Sequence, residues 1–268
     1  MLEVFYIKPL IELKNIDISI NNQKILSNIS INIQKNESLA IVGPNGAGKS
    51  TLIKLICGEL YPNIKENSSI NIFGKTKWNI WELKTHLGII TNELHFTYKN
   101  QVNNTGYEVI LSGFFSSIGL HQEISNDMKT KTSKIIEFLN IKNLTNKKIA
   151  EMSTGEARKI LVARALINDP EVLILDEPTV GLDLVAQKDF LTLIQKLVSN
   201  GKTIILITHH LEEIFPEINK TALLKNGTIT HLGDTKDIIT SKNLSQLYNT
   251  NVKVTKTNNT YQALIDNS

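Results

Sequence analysis

The chain has 268 residues, 41% of them hydrophobic and 21% charged, with a formal charge of +3. That length and balance suit one or two soluble globular domains with a sizeable core. A charge this small, with no compact Lys/Arg block interleaved with aromatics, gives no basis for expecting a nucleic-acid partner.

The single Cys57 excludes an intrachain disulfide framework and a cysteine-built metal site. Its apolar helical surroundings make it a core residue. No apolar run reaches membrane-spanning length. The opening MLEVFYIKPL lacks the basic-then-apolar pattern of a secretory signal. The expectation is a cytoplasmic protein.

Taken in order, IELKNIDISI from Ile11 and ILSNISINI from Ile25 alternate apolar and polar residues, and both read as half-buried strands around an NNQK turn. SLAIVG from Ser38 reads as a buried strand, KSTLIKLICGEL from Lys49 as a helix. SSINIFG gives a strand ending in a turn at Gly74, and LGIIT from Leu87 another buried strand. From Glu93 to Ala165 the character turns helical, with YEVILSGFF, DMKTKTSKIIEFLNI and STGEARKILVARALI, two of them amphipathic in spacing. EVLILDEP is a buried strand ending in two acids. LVAQKDFLTLIQKLVSNG is a helix with a glycine stop, and KTIILITHH a buried strand. TALLKNGTITHLG is a hairpin around Asn226-Gly227. The tail beyond Gly233 reads as a short helix with strands between Val252 and Ile265. Short apolar strands alternating with helices predict an α/β fold on a largely parallel sheet, with ligands beyond the strands' carboxyl ends.

The stretch IVGPNGAGKSTLI lies at such an end. Gly43, Pro44, Asn45, Gly46, Ala47, Gly48, Lys49 and Ser50 fit G-x-x-x-x-G-K-[ST] between a strand and a helix. Glycines let backbone N–H groups converge, and with the helix N-terminus they form a nest for phosphate oxygens. Lys49 is expected at the β- and γ-phosphates of a nucleotide, Ser50 on Mg²⁺ and Thr51 at the α-phosphate. A chance glycine-rich turn is the bland alternative, and the strand-loop-helix context argues against it. Asp176 is a candidate for Mg²⁺ through water, and Glu177 for the general base that polarises the attacking water. His209 follows another buried strand and could bond the γ-phosphate or orient that water. A histidine in such a place is more often structural, and His210 competes with it.

The run MSTGEARKILVARALINDPEVLILDEPTVGLD resembles, in order and spacing, the signature, Walker B and D-loop of the nucleotide-binding subunit of ATP-binding-cassette (ABC) proteins. With the phosphate loop the resemblance covers about residues 11–232. It implies a P-loop NTPase fold with an ABC-type mixed or parallel core sheet, an antiparallel β subdomain and an inserted helical subdomain. The corresponding boundaries are one ATPase domain over 1–233, its helical subdomain at about 93–165, and a small extension over 234–268.

The resemblance also implies a mechanism. Two copies pair head to tail in an ATP-dependent dimer, and each ATP lies between the phosphate loop of one and the signature of the other. Ser153, Gly155 and Glu156 would contact the partner's nucleotide, and Asp183 would couple the two sites. Ser153 with Glu156 also reads as a helix-capping box. Departures stand out. The signature is normally LSGGQ, and here Thr154 replaces a glycine and Glu156 the glutamine, placing an acid near phosphate. The strand-ending glutamine that reaches Mg²⁺ and water aligns with the shorter Asn92. The aromatic that stacks on adenine aligns with Ile20, for which Phe5 or Tyr6 could substitute. STGE is similar to the molybdate-type stand-alone ATP-binding proteins.

Glu177 is intact, so hydrolysis is expected. The resemblance implies coupling to transport through a separate transmembrane permease, with the protein peripheral on the inner face of the membrane. The alternative is a non-transport ABC ATPase in regulation or translation. A nucleotide-dependent scaffold without turnover ranks third. Aromatics in HFTY and GFFSSIGL are candidates for the permease contact or for core.

Overall fold

A computed structural model describes residues 8–63, 65–101, 103–120 and 122–266. In chain order the elements are β1 (Ile11–Ile20), β2 (Gln23–Ile33), β3 (Leu39–Val42), α1 (Lys49–Ile56), β4 (Ser69–Ile72), α2 (Ile80–His86), β5 (Leu87–Ile90), α3 (Asn92–Gln101), α4 (Gly106–Ser112), α5 (Asn126–Phe138), α6 (Thr154–Leu166), β6 (Val172–Asp176), α7 (Leu184–Ser199), β7 (Thr203–Thr208), β8 (Lys220–Lys225), β9 (Thr228–Asp234), α8 (Thr235–Ile238), α9 (Ser241–Tyr248), β10 (Val252–Thr257) and β11 (Thr260–Ile265). The expected strands are present. Helix α1 stops short of the expected Leu60, because Gly58 turns the chain at φ 71°. Helices α2 and α3 were not separately expected.

The chain packs as two compact units, 8–80 with 203–266, and 81–202. In the first, β1 pairs antiparallel with β2 and β4. Its alternation breaks where Ile16, Asp17 and Ile18 are all buried, at register shifts against β2. Burial opposes ionisation of Asp17. Bonds from Lys24 (2.7 Å), Lys65 and the Asn28 amide (2.7 Å) outweigh it and hold the carboxyl well below the usual carboxylate range. Strand β3 lies between β7 and β8, parallel to both, and β8 forms an antiparallel hairpin with β9. That hairpin turns at Asn226 (φ 48°) and Gly227 (φ 74°), both left-handed as a two-residue turn requires. Beyond it, α9 and the β10–β11 hairpin pack through Leu244, Leu247, Val252 and Tyr261, all buried.

In the second unit β5 and β6 pair in parallel, Leu87 opposite Val172 and Ile90 opposite Leu175. Apart from Asp176 at the end of β6, both strands carry no polar side chain, as strands covered on two faces do. Helix α5 buries only Thr132 and Ile136, as an amphipathic surface helix does. Helix α6 differs: Ala157, Arg158, Ile160, Leu161, Val162, Ala163, Ala165 and Leu166 are all buried, so it is a core helix rather than an amphipathic one. No helix among the described residues is long and apolar enough to cross a membrane.

Candidate nucleotide site

The first unit carries the phosphate loop. Val42 of β3 stands opposite Thr208 of β7 and Leu223 of β8, so Gly43 and His209 leave the sheet at the same edge. A Cβ on Gly43 would lie 2.2 Å from the Leu224 carbonyl oxygen, so only glycine fits. Gly48 precedes α1 with φ 103° and no side-chain cap, so the first helical N–H groups are not taken by a capping side chain. Buried Lys49 curls back, its Nζ donating to the carbonyls of Gly43 (2.7 Å) and Pro44 (3.0 Å). Asn45, Gly46 and Ser50 are exposed, Thr51 half-buried, and Ala47 packs inward.

Sequence reasoning missed what braces this loop. The Gly227 amide donates to the Ala47 carbonyl (3.0 Å), and the Gly227 carbonyl accepts from the Ser27 amide (2.8 Å). A Cβ on Gly227 would meet the Ile25 carbonyl oxygen at 2.1 Å. The hairpin is legible from Asn-Gly, but its contact with the loop has no sequence signal. His209 is half-buried and His210 exposed, their rings 4.0 Å apart, which favours His209 as the inward group. Ile20 ends β1 and is 39% exposed. Phe5 and Tyr6 lie outside the described residues.

The second unit carries the acids and the signature. Asp176 ends β6, and Glu177 turns the chain with φ 47°. The β5–β6 register puts Asn92, two residues past Ile90, at the same edge as Asp176 and Glu177. The Asn92 side-chain oxygen is engaged: it accepts from Nη2 of Arg158, a side chain only 1% exposed. Lys99, later on α3, donates to the Met152 carbonyl at 2.6 Å. Helix α3 is thus tied twice to the α6 segment. Between the ties, burial and the Arg158 and Lys99 charges push the His95 imidazole down to about 4.

Ser153 caps α6 as expected. Its Oγ accepts from the Glu156 amide (3.2 Å), and Glu156 Oε2 accepts from the Ser153 amide (2.7 Å). Lys147 also donates to that oxygen at 2.9 Å. Asp183 caps α7, accepting from the Ala186 amide at 2.8 Å. A Cβ on Gly155 would lie 3.2 Å from Ala186 Cβ, so the signature and the start of α7 are close neighbours.

The loop fits a polyphosphate: glycine backbone, an uncapped helix start and a lysine folded over its own loop, its Nζ donating to the Gly43 and Pro44 carbonyls. The side-chain oxygen of Ser50 at the start of α1 is of the donor type a hard divalent cation takes. No cluster of three or more His, Cys, Asp or Glu among the described residues could hold a metal. Magnesium bound largely through nucleotide phosphates is in keeping with that.

The family model for ABC transporters matches residues 26–180. The chain belongs to the ABC transporter family. It is 33% identical over 248 residues to the uncharacterized ABC transporter ATP-binding protein YlmA of Bacillus subtilis (strain 168), covering 91% of this chain and 93% of that one. It is 36% identical over 211 residues to the ABC transporter ATP-binding protein ModF of Escherichia coli (strain K12), covering 77% of this chain and 42% of that protein. Among solved structures it matches an ATP-binding cassette of an ABC transporter in its ADP conformation, with TM-score 0.75 and 26% identity over 90% of this chain and 98% of that one. This ABC ATPase has the P-loop NTPase fold, and with it the family's Mg²⁺-dependent ATP hydrolysis.

Proposed function

We propose that this ABC ATPase hydrolyses ATP as a head-to-tail dimer and drives transport through a separate membrane permease. In this reading the Gly43–Thr51 amides and Lys49 hold the triphosphate, with Ile20 against the base. Ser50, Asp176 and Asn92 serve the magnesium ion, which when bound neutralises phosphate charge. Glu177 takes the proton of the attacking water, and His209 holds the γ-phosphate side. Ser153, Gly155 and Glu156 close over the nucleotide of the partner copy, with Asp183 beside them.

The observation that carries this reading is the capping box at Ser153. It presents the start of a buried helix at an exposed residue, with the N-terminal pole outward. A capping box serves any helix start, as at Thr105 of α4, and this one lies in the stretch that resembles the family signature. In the dimer reading the same tip faces the triphosphate of a second chain. Transport coupling is supported by large apolar side chains on the second unit: Trp81 is 61% exposed, Phe96 60% and Ile118 46%. Tyr98 of the same HFTY stretch is core, bonded to Ser112 and Arg164.

Subunit mixing tests the geometry. Lys49→Ala and Ser153→Arg proteins, each inactive alone, are expected to regain measurable ATPase when mixed, because each heterodimer keeps one complete composite site. Heterodimers that form and stay inactive would overturn the reading.

A further inference from the structure

An acid at position 156 carries a charge that an amide would not. If the N-terminus of α6 closes over a partner's triphosphate, a lone carboxylate there would repel it. The structure supplies the counter-charge from outside the signature motif. Lys147 Nζ lies 2.9 Å from Glu156 Oε2, and each side chain is about one-third exposed, at 36% and 33%. The hydrogen bond from Lys147 is the main reason the Glu156 carboxyl sits below its ordinary range, followed by the Ser153 amide.

The lysine is placed by its backbone. Its carbonyl accepts from the Gly106 amide at 3.0 Å, its amide donates to the Leu144 carbonyl at 3.2 Å, and neighbouring Lys148 bridges to Thr105. Thr105 is itself the cap of α4, with its own capping box to Glu108. The lysine therefore comes from a pinned segment at the start of α4 rather than from a loose loop.

We propose that Lys147 is a positioning residue of the signature. It neutralises Glu156 and holds its carboxylate in the capping box, so the α6 tip meets the partner's nucleotide as an uncharged unit. This inference rests on the dimer reading above. The acid and the lysine then function as a pair, standing in for the amide of the usual motif.

A double-mutant cycle tests it, reading ATPase rate against ATP concentration for the parent, Lys147→Met, Glu156→Gln and the double variant. Lys147→Met is expected to raise half-saturating ATP about fivefold to tenfold, with the rate at saturation changed less than about twofold. In the Glu156→Gln background the same substitution is expected to change half-saturating ATP by less than about twofold. Added salt should shrink the Lys147→Met defect, since screening acts on partly exposed charges. Lys147→Arg should keep parental behaviour, and Lys147→Glu should be worse than Lys147→Met. A purely structural role would give one defect in both Glu156 backgrounds, insensitive to salt, and that result would overturn the proposal. So would a Lys147→Glu protein no worse than Lys147→Met. The ATP-bound dimer of Glu177→Gln separates the two levels. If that dimer forms and the cycle is additive, only the role of Lys147 falls. If no dimer forms, the reading beneath it falls.

Discussion

Arg158 donates its Nη2 to the side-chain oxygen of Asn92, joining the buried face of α6 to the first residue of α3. Asn92 is the residue proposed above to serve the magnesium ion, and α6 begins at Thr154, directly after Ser153. The bond makes the position of that amide depend on a charged side chain buried in the next functional element. The tie from Lys99 to the Met152 carbonyl fixes the far end of the same helix. In the proposed reading, Asn92 takes the amide's role and Arg158 orients it.

Arg158→Lys keeps the charge and loses the planar fork. The expected result is a fall in kcat of about tenfold with ATP affinity within about threefold, because a positioning group acts on turnover more than on binding. Steady-state kinetics with nucleotide titration check it. An equal loss in affinity and none in kcat would show that the bond serves binding alone.

Gly227→Ala places a methyl 2.1 Å from the Ile25 carbonyl oxygen, at a residue with φ 74°. Strain of about 1–3 kcal/mol is expected from the backbone conformation alone. The melting temperature should fall by several degrees and ATP affinity with it, since the turn braces Ala47. Differential scanning calorimetry with and without ATP reads both effects. An unchanged melting temperature would show that the turn shifts at no cost.

Ser153→Ala removes the cap of α6. A loss of about 1 kcal/mol in stability is expected from capping alone. A disproportionate loss of ATP-dependent dimerisation would come from the composite site. Denaturant unfolding and sedimentation, measured on the same sample, separate the two. Loss of stability with dimerisation intact would confine Ser153 to a capping role.

His95 gives the acid limit. Its imidazole falls from 6.5 to about 4 on folding, so between those values the unfolded chain binds the proton and the folded chain does not. Stability from this group is full above about pH 6.5 and is lost as the pH falls toward 4. Its Nε2 is enclosed without a hydrogen-bond partner among the described residues. His95→Gln should flatten the decline in melting temperature between pH 6.5 and 4.5. An unchanged slope would assign the decline to other groups.

Much of this was legible in the sequence because it rests on local pattern. The phosphate loop, the acid pair after β6, the Ser153–Glu156 box and the Asn226–Gly227 hairpin each follow from a few adjacent residues. What stayed hidden joins residues far apart in the chain. Arg158 with Asn92, Lys99 with Met152, Lys147 with Glu156 and Gly227 with Ala47 depend on tertiary packing, and spacing carries no trace of them. The residues of α6 read as a helix, with Glu156, Arg158 and Lys159 as its polar positions. The structure buries Arg158, and tertiary placement overrode the polar pattern.

The head-to-tail dimer is tested most directly by sedimentation of Glu177→Gln with Mg²⁺ and ATP. The parent chain is 30.0 kDa. The account predicts that the variant binds ATP, fails to turn it over and doubles in mass only when ATP is present. A variant that stays at the single-chain mass with ATP bound, or that hydrolyses ATP at the parental rate, would contradict it.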